Sequence, residues 1–407
     1  MKYVVFLCDG MADLKIRDFD NQTPLEAAHT PNMDFYSKKS VLGMVKTVPD
    51  NLSPGSDVAN LSVMGYDSDI YYTGRSPLEA ASIGVTLSDN ETSFRANLVT
   101  LSGDGDYEEL VMEDYSAGEI KTADAKKVIE DLSLVINDEG TKIYPGVSYR
   151  HLLVLSDKVV EGALTPPHDI SKRQVKEYLP KDEEILSLMK KSYEFLKDHP
   201  YNLQRIKEGK KPASSIWVWG EGKRPKMDSF SQKFGVKGAV ISAVDLIKGI
   251  GILTGMRSIE VEGATGNIDT NFFGKAQSCI EALQSGDEFV YLHIEAPDEC
   301  GHRFEAENKK LSIELIDEQV IGPVCRFLEE SGEEFAILVL PDHPTPISTG
   351  THARDPVPFF AYCNQYETEG DLYSEETAEK TGLYLEKGYE LMEKFLKLDL
   401  WKVKGRR

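Results

Sequence analysis

Three short apolar runs in this chain each end in an aspartate: YVVFLCD delivers Asp9, FVYLHIEAPD delivers Asp298 and FAILVLPD delivers Asp342. Runs this short and this rich in Val, Leu, Ile and Phe read as strands buried on both faces, the habit of a parallel sheet. The carboxyl ends of parallel strands share one edge, and open α/β folds carry their ligands there. The pattern predicts an α/β fold whose sheet edge gathers three carboxylates. Strands are predicted at Tyr3 to Cys8, Ser215 to Trp219, Gly238 to Ser242, Phe289 to Ile294, Phe335 to Leu340 and Pro358 to Tyr362. Before Phe335, Leu311, Leu315, Val320, Val324 and Leu328 recur at helical spacing and Gly332 follows as a C-terminal cap, which makes a βαβ unit.

Residues 96–205 have another texture: an acidic hairpin (SGDGDYEE), an acidic helix, a β-like SYRHLLVL and a helix from Glu183 to Asp198. They predict an inserted α+β cap domain, with residues 1–95 and 206–407 forming a discontinuous catalytic domain. Tyr201 to Ala213 (YNLQRIKEGKKPA) reads as a polar return linker. The tail from Gly382 to Arg407 alternates charges around Leu385, Tyr389, Met392 and Phe395; it predicts helix and leaves open a contact in a homo-oligomer.

At 407 residues the chain is long enough for one large domain or two ordinary ones. Its net charge of −22 repels nucleic acid and anionic membranes, so an anionic substrate requires a locally positive site built from metal ions or clustered Arg and Lys. The five cysteines are scattered without a C-x-x-C pair, which predicts reduced thiols and a cytoplasmic protein. The apolar run at the N-terminus stops at Asp9 and reads as a strand rather than a signal segment, and no run reaches the ~18 apolar residues of a membrane span.

Three carboxylates on one sheet edge repel unless cations neutralise them. Histidines accompany them: His302 lies four residues after Asp298, His343 adjoins Asp342, and His352 follows on the next loop. Mixed carboxylate and imidazole donors suit Mn²⁺, Zn²⁺ or Fe, and two ions about 3.5–4 Å apart clamp the oxygens of a phosphoryl transfer. In SPGSDVANLSVMGYD, a Gly, Ser and Pro loop runs into a helical stretch, which puts Ser56 at a helix N-terminus as either an N-cap or a nucleophile. The glycines of GIGILTG (Gly249, Gly251, Gly255) miss the dinucleotide spacing at Thr254, and Gly274–Lys275 in FFGKAQ lacks the rest of a P-loop.

The segments CDGMAD, TPLEAAHTPNMD, SPGSDVANLSVMGYD, YTGRSPLEAAS, EAPDECGH, LPDHPTP and GTHARDPVPF resemble the alkaline phosphatase superfamily, specifically its cofactor-independent phosphoglycerate mutases of the archaeal type. WVWGEGKRP and KGAVISAVDLIKGIGILTG look most like a bacterial branch labelled as proposed homoserine kinases. The resemblance implies an alkaline-phosphatase-like core with a mainly parallel sheet flanked by helices. It also implies two divalent metal ions, Mn²⁺ foremost with Zn²⁺, Mg²⁺ or Co²⁺ as alternatives. Asp9, Ser56, Asp342 and His343 resemble the ligands of one metal, and Asp298, His302 and His352 those of the other. Ser56 resembles the residue that accepts the phosphoryl group in passing it between the hydroxyls of a phosphoglycerate. Small phosphorylated anions would then meet Arg75, Lys223, Arg224 and Lys248, with Arg150, His168 and Asp169 of the inserted module closing over them. The alternatives are a homoserine-kinase-like phosphotransferase and a metal-dependent phosphatase.

Overall fold

The computed structural model describes residues 1–402, so the last five residues of the predicted helical tail lie outside the described residues. The chain divides into two compact units, Met1–Tyr72 with Lys226–Arg407, and Thr73–Pro225.

The first unit is built on an eight-stranded sheet. Its strands are β1 (Lys2–Cys8), β2 (Val41–Val45), β8 (Gly238–Ile241), β9 (Arg257–Ile259), β10 (Phe289–Ile294), β11 (Phe335–Leu340), β12 (Val357–Cys363) and β13 (Tyr384–Leu385). The spatial order is β13-β2-β12-β11-β1-β10-β8-β9. β1 runs parallel to both β10 and β11, and β8 continues the parallel run. β12 is antiparallel to β11 and to β2. β10 and β11 are buried at every residue, as predicted from their unbroken apolar runs. All three aspartate-bearing strands are therefore neighbours at the centre of the sheet.

The helical repeat between β10 and β11 is helix Ala306–Ile316, a π turn Asp317–Ile321 and helix Gly322–Ser331, closed by Gly332 in the left-handed conformation (φ 68°). Val320, Val324 and Leu328 are buried, whereas Leu311 is 43% exposed, because the extra residue of the π turn rotates one half of the apolar stripe relative to the other. Asp317, in that turn, accepts hydrogen bonds from the backbone N–H groups of Asn32 (3.1 Å) and Met33 (2.7 Å), capping helix Pro31–Ser37 from across the fold. The tail forms β13 and the helices Tyr389–Leu396 and Asp399–Lys402.

The second unit is an antiparallel sheet of β3 (Glu91–Ser102), β4 (Val111–Asp114), β5 (Thr141–Tyr144), β6 (Arg150–Ser156) and β7 (Ser215–Lys223). β3 pairs with β4, β6 and β7. Helices Thr122–Ile136 and Glu183–Leu196 contribute Val128, Ile129, Leu132, Ile185, Leu188 and Met189 to its core. The α+β character is as expected, but the limits differ. A boundary at residue 95 would cut β3, a continuous 12-residue strand, through its middle. Ser215 to Trp219, expected in the parallel sheet, pairs antiparallel with β3 instead.

The expected polar linker contains helix Pro200–Lys207. Its polar side chains turn inward to satisfy backbone: Asn202 donates to the carbonyls of Leu196 and Ala213 (both 2.8 Å), and Arg205 donates to Lys211 O and Ala117 O (both 2.7 Å).

Candidate metal and phosphoryl-transfer site

Asp9 follows β1 directly, fully buried, with its backbone N–H on the carbonyl of Ile294 in the neighbouring strand (2.9 Å). Asp342 follows β11 and its Oδ1 accepts the backbone N–H groups of Gly10 (3.1 Å) and His343 (2.9 Å). Asp298 lies in helix Ala296–His302, which starts two residues after β10, and His302 stands on the same helix face four residues on. Ser56 is the first residue of helix Ser56–Val63; its Oγ lies 3.2 Å from His343 Nε2.

These residues meet. His343 Nε2 is 3.6 Å from Asp9 Oδ1 and 3.3 Å from Asp342 Oδ2. His302 Nε2 lies 3.1 Å from Asp298 Oδ2 and 2.9 Å from His352 Nε2, and His352 Nε2 lies 3.4 Å from Asp298 Oδ1. The rings of His343 and His352 are 4.0 Å apart between centroids, so the two groups adjoin. Two sets of ligand atoms converge within 4.8 Å: Asp9, Asp342 and His343, and Asp298, His343 and His352. His343 belongs to both.

Hydrogen bonds fix the imidazole tautomers. The single hydroxyl proton of Thr345 goes to Asp298 Oδ1, so its oxygen accepts from His343 Nδ1 (3.3 Å) and leaves His343 Nε2 with a free lone pair. Likewise His302 Nδ1 donates to the carbonyl of Gly350 (2.9 Å), which turns Nε2 towards His352 and Asp298.

Electrostatics also point to cations. Burial, then the charges of Asp342 and Asp298, push the Asp9 carboxyl well above the usual range, and Asp9 Oδ1 is buried with no hydrogen-bond partner among the described residues. Burial would raise Asp298 too, but hydrogen bonds from His302 and His352 outweigh it and hold that carboxyl well below its ordinary value. The hydrogen bond to Asp298 raises His302 to about 9 against the opposing effect of burial. Facing imidazole nitrogens, an orphaned carboxylate oxygen and three crowded acids form a donor set that fits divalent cations.

Several participants carry no motif signal. His293 of β10 is fully buried and held near pKa 3 by desolvation; neutral, it donates from Nε2 to Asp9 Oδ2 (2.8 Å) and accepts at Nδ1 from Ser242 (3.1 Å). Asn60, one turn beyond Ser56, donates to Asp342 Oδ2 (2.8 Å). Buried Lys309 joins the loops after β1 and β11 by donating to Asp13 Oδ2 (2.7 Å) and Thr345 O (2.9 Å). A hydrophobic-pattern reading absorbs such residues into core strands and helices; the alternation that puts Tyr291 and His293 on one face of β10 was the available clue.

Of the expected substrate residues, Lys248 lies in the first unit and pairs with Glu260 (2.9 Å). Arg75, Arg150, His168, Asp169, Lys223 and Arg224 all belong to the second unit. There Arg95, which lies in no recognisable motif, is buried with its guanidinium 4.4 Å from the Trp219 ring centroid and 3.1 Å from Glu79. Burial foremost, with Arg75 and Arg150 nearby, lowers its pKa, and its Nε has no partner among the described residues. His168 sets its ring edge on Trp219 (5.4 Å between centroids) and lies 3.5 Å from Asp169. Arg224 donates to the carbonyl of Leu87 at 3.5 Å.

An α/β protein with a cation-ready cluster and a serine at the strand ends is a phosphoryl-transfer type of design. The sequence profile of 2,3-bisphosphoglycerate-independent phosphoglycerate mutases matches residues 37–202. The chain is 48% identical over 399 residues to a protein of that name from Methanosarcina barkeri, covering 96% of this chain and 98% of the relative. It is also 48% identical to a probable one from Geobacter sulfurreducens, covering 97% and 100%. Among solved structures it is similar to a protein from Pyrococcus horikoshii (TM-score 0.80, 28% identity, 98% and 97% covered). A cofactor-independent phosphoglycerate mutase from Thermoplasma acidophilum is similar too (TM-score 0.68, 26% identity, 98% and 100% covered). The chain belongs to the cofactor-independent phosphoglycerate mutase family, a family of isomerases. No helix among the described residues is long and apolar enough to cross a membrane.

Proposed function

We propose that this enzyme interconverts 3-phosphoglycerate and 2-phosphoglycerate through a phosphoserine at Ser56. The observation that carries the reading is the placement of Ser56 Oγ at a helix N-terminus, 3.2 Å from His343 Nε2, beside the buried carboxylates.

Asp9, Ser56, Asp342 and His343 would hold one divalent cation and Asp298, His302 and His352 another, with manganese suited to this donor mixture. When bound, these ions supply charge neutralisation of the phosphoryl oxygens and acidify the serine hydroxyl. Ser56 gives up its Oγ proton and attacks phosphorus; the Oγ–P bond forms, the bond from phosphorus to O3 of glycerate breaks, and O3 takes a proton. The positive end of the helix dipole, where Ser56 stands, favours the phosphoserine anion. The glycerate turns, O2 loses its proton and attacks, and Ser56 Oγ recovers a proton as its bond to phosphorus breaks. The sum is an isomerisation with no diphosphorylated cofactor.

Binding of the carboxylate and phosphate falls to Arg75, Lys223, Arg224, Lys248 and Arg150, with His168 and Asp169 closing over the substrate; buried Arg95, whose Nε has no partner among the described residues, joins them. A chain whose five thiols are all buried and free suits the reducing cytoplasm.

Phosphorus NMR of the manganese-loaded protein tests the reading. With 3-phosphoglycerate alone, the 2-phosphoglycerate signal is expected, and with homoserine plus ATP, no transfer. Transfer only in the second mixture would instead favour the homoserine kinase, and inorganic phosphate from the first a phosphatase.

A further inference from the structure

Asn60 ties the serine to the carboxylate cluster without reaching the reacting atoms. It is fully buried on helix Ser56–Val63. Its Nδ2 donates both to the carbonyl of Ser56 (2.8 Å) and to Asp342 Oδ2 (2.8 Å), while its Oδ1 accepts from the Tyr291 hydroxyl (2.6 Å). The amide can point only one way. Turned over, its oxygen would face the Ser56 carbonyl and the Asp342 carboxylate, acceptors both, and its NH₂ would face the hydroxyl. Tyr291 completes the arrangement: its phenol, kept protonated by burial with Asp342 and Asp9 nearby, donates to the amide oxygen that this orientation turns towards it. Tyr291 and His293 stand two residues apart on one face of β10, so one strand supports Asp342 through Asn60 and Asp9 through His293.

We propose that Asn60, oriented by Tyr291, is a positioning residue that fixes Ser56 against Asp342 and thereby sets the rate of phosphoryl transfer. The inference rests on the phosphoserine mutase reading above. A helix start displaced by an ångström from an otherwise intact acceptor geometry costs on the order of 10²-fold in rate. Lost support of a ligating carboxylate costs about 10- to 100-fold in metal affinity.

The experiment uses the full chain in four variants: Asn60→Ala, Asn60→Asp, Tyr291→Phe and the Asn60→Ala/Tyr291→Phe double. At saturating manganese and 3-phosphoglycerate, kcat is expected to fall about 30- to 100-fold in both Asn60 variants with KM within about threefold of wild type. Asn60→Asp keeps the shape but cannot donate, so it should not rescue. Tyr291→Phe should cost about fivefold alone and nothing further on Asn60→Ala, a coupling that general destabilisation does not produce. Calorimetry of Mn²⁺ binding to metal-stripped protein should show about tenfold weaker affinity in both Asn60 variants. If Asn60→Ala does not fold, the kcat loss in Tyr291→Phe and the Mn²⁺ affinity of Asn60→Asp decide the matter. Retained kcat in the Asn60 variants, or a Tyr291→Phe cost undiminished on Asn60→Ala, would overturn the proposal. If the wild-type chain itself shows no mutase turnover, the mutase reading fails, and Mn²⁺ affinity alone then decides Asn60: unchanged affinity rejects it.

Discussion

The Nε2 atoms of His302 and His352 stand 2.9 Å apart, both within 3.4 Å of the Asp298 carboxylate. Because His302 Nδ1 donates to Gly350 O, two imidazole lone pairs would collide here unless a proton or a metal ion lies between them. In the metal-free protein a proton fills the role, and the neighbouring carboxylate raises His302 to about 9. A metal must displace that proton. Manganese added to stripped protein in weak buffer at pH 7.5 is therefore expected to release protons, and apparent affinity should fall by up to about tenfold per pH unit below about 9. Calorimetry in buffers of different ionisation enthalpy measures the release; affinity independent of pH from 7 to 9 would contradict this arrangement.

Gly350 supplies the carbonyl that orients His302, and it does so with φ +65°, where a Cβ would lie 2.5 Å from the ring of Phe304. Gly350→Ala is expected to cost about 1–2 kcal/mol in stability and to weaken manganese binding measurably, since the carbonyl moves with the backbone. Thermal unfolding with and without manganese checks both effects; a fully stable variant with unchanged affinity would show that the loop relaxes freely.

Lys309 and Asp13 form an ion pair at 2.7 Å with side chains 0% and 1% exposed. Removing the cation alone strands a buried carboxylate, so Lys309→Met should destabilise the protein by about 3–5 kcal/mol. Restoring balance with Asp13→Asn on that background should recover part of the loss. Denaturant titration measures both, and equal stabilities of Lys309→Met and wild type would refute the assignment.

Glu375 accepts from the Asp13 N–H (3.2 Å) and the Thr23 hydroxyl (2.8 Å), and burial lifts its carboxyl to about 7. The folded state thus binds a proton that the unfolded chain loses near pH 4.3. Its contribution is complete below that value and disappears as pH rises to about 7. Glu375→Gln should remove about 2–3 kcal/mol of the stability decline between pH 5 and pH 8. Denaturation midpoints at the two pH values test this; an unchanged decline would mean that Glu375 ionises freely.

The aspartates at the ends of β1 and β11, and Asp298 beyond β10, were legible in sequence because a buried parallel strand writes itself as an unbroken apolar run. The position of Ser56 was legible from the Gly and Pro before its helix. β2, β9 and β13 were missed: they are short edge or flanking strands whose place depends on partners far along the chain. The module boundary was misread because β3 and β7 find each other across more than 100 residues, a pairing that local pattern does not encode. Asn60, Tyr291, His293 and Arg95 were passed over because a polar side chain inside an apolar pattern reveals its role only through its partners.

The proposed reaction requires Ser56 to carry the phosphoryl group. Manganese-loaded enzyme mixed with 3-phosphoglycerate, quenched in acid within a turnover and digested, can be read by mass spectrometry of the peptide that contains Ser56. Phosphate on Ser56, and at least about a 10⁴-fold loss of turnover in Ser56→Ala, is the expected result. Rapid interconversion by a Ser56→Ala enzyme, or with Ser56 never phosphorylated, would contradict it.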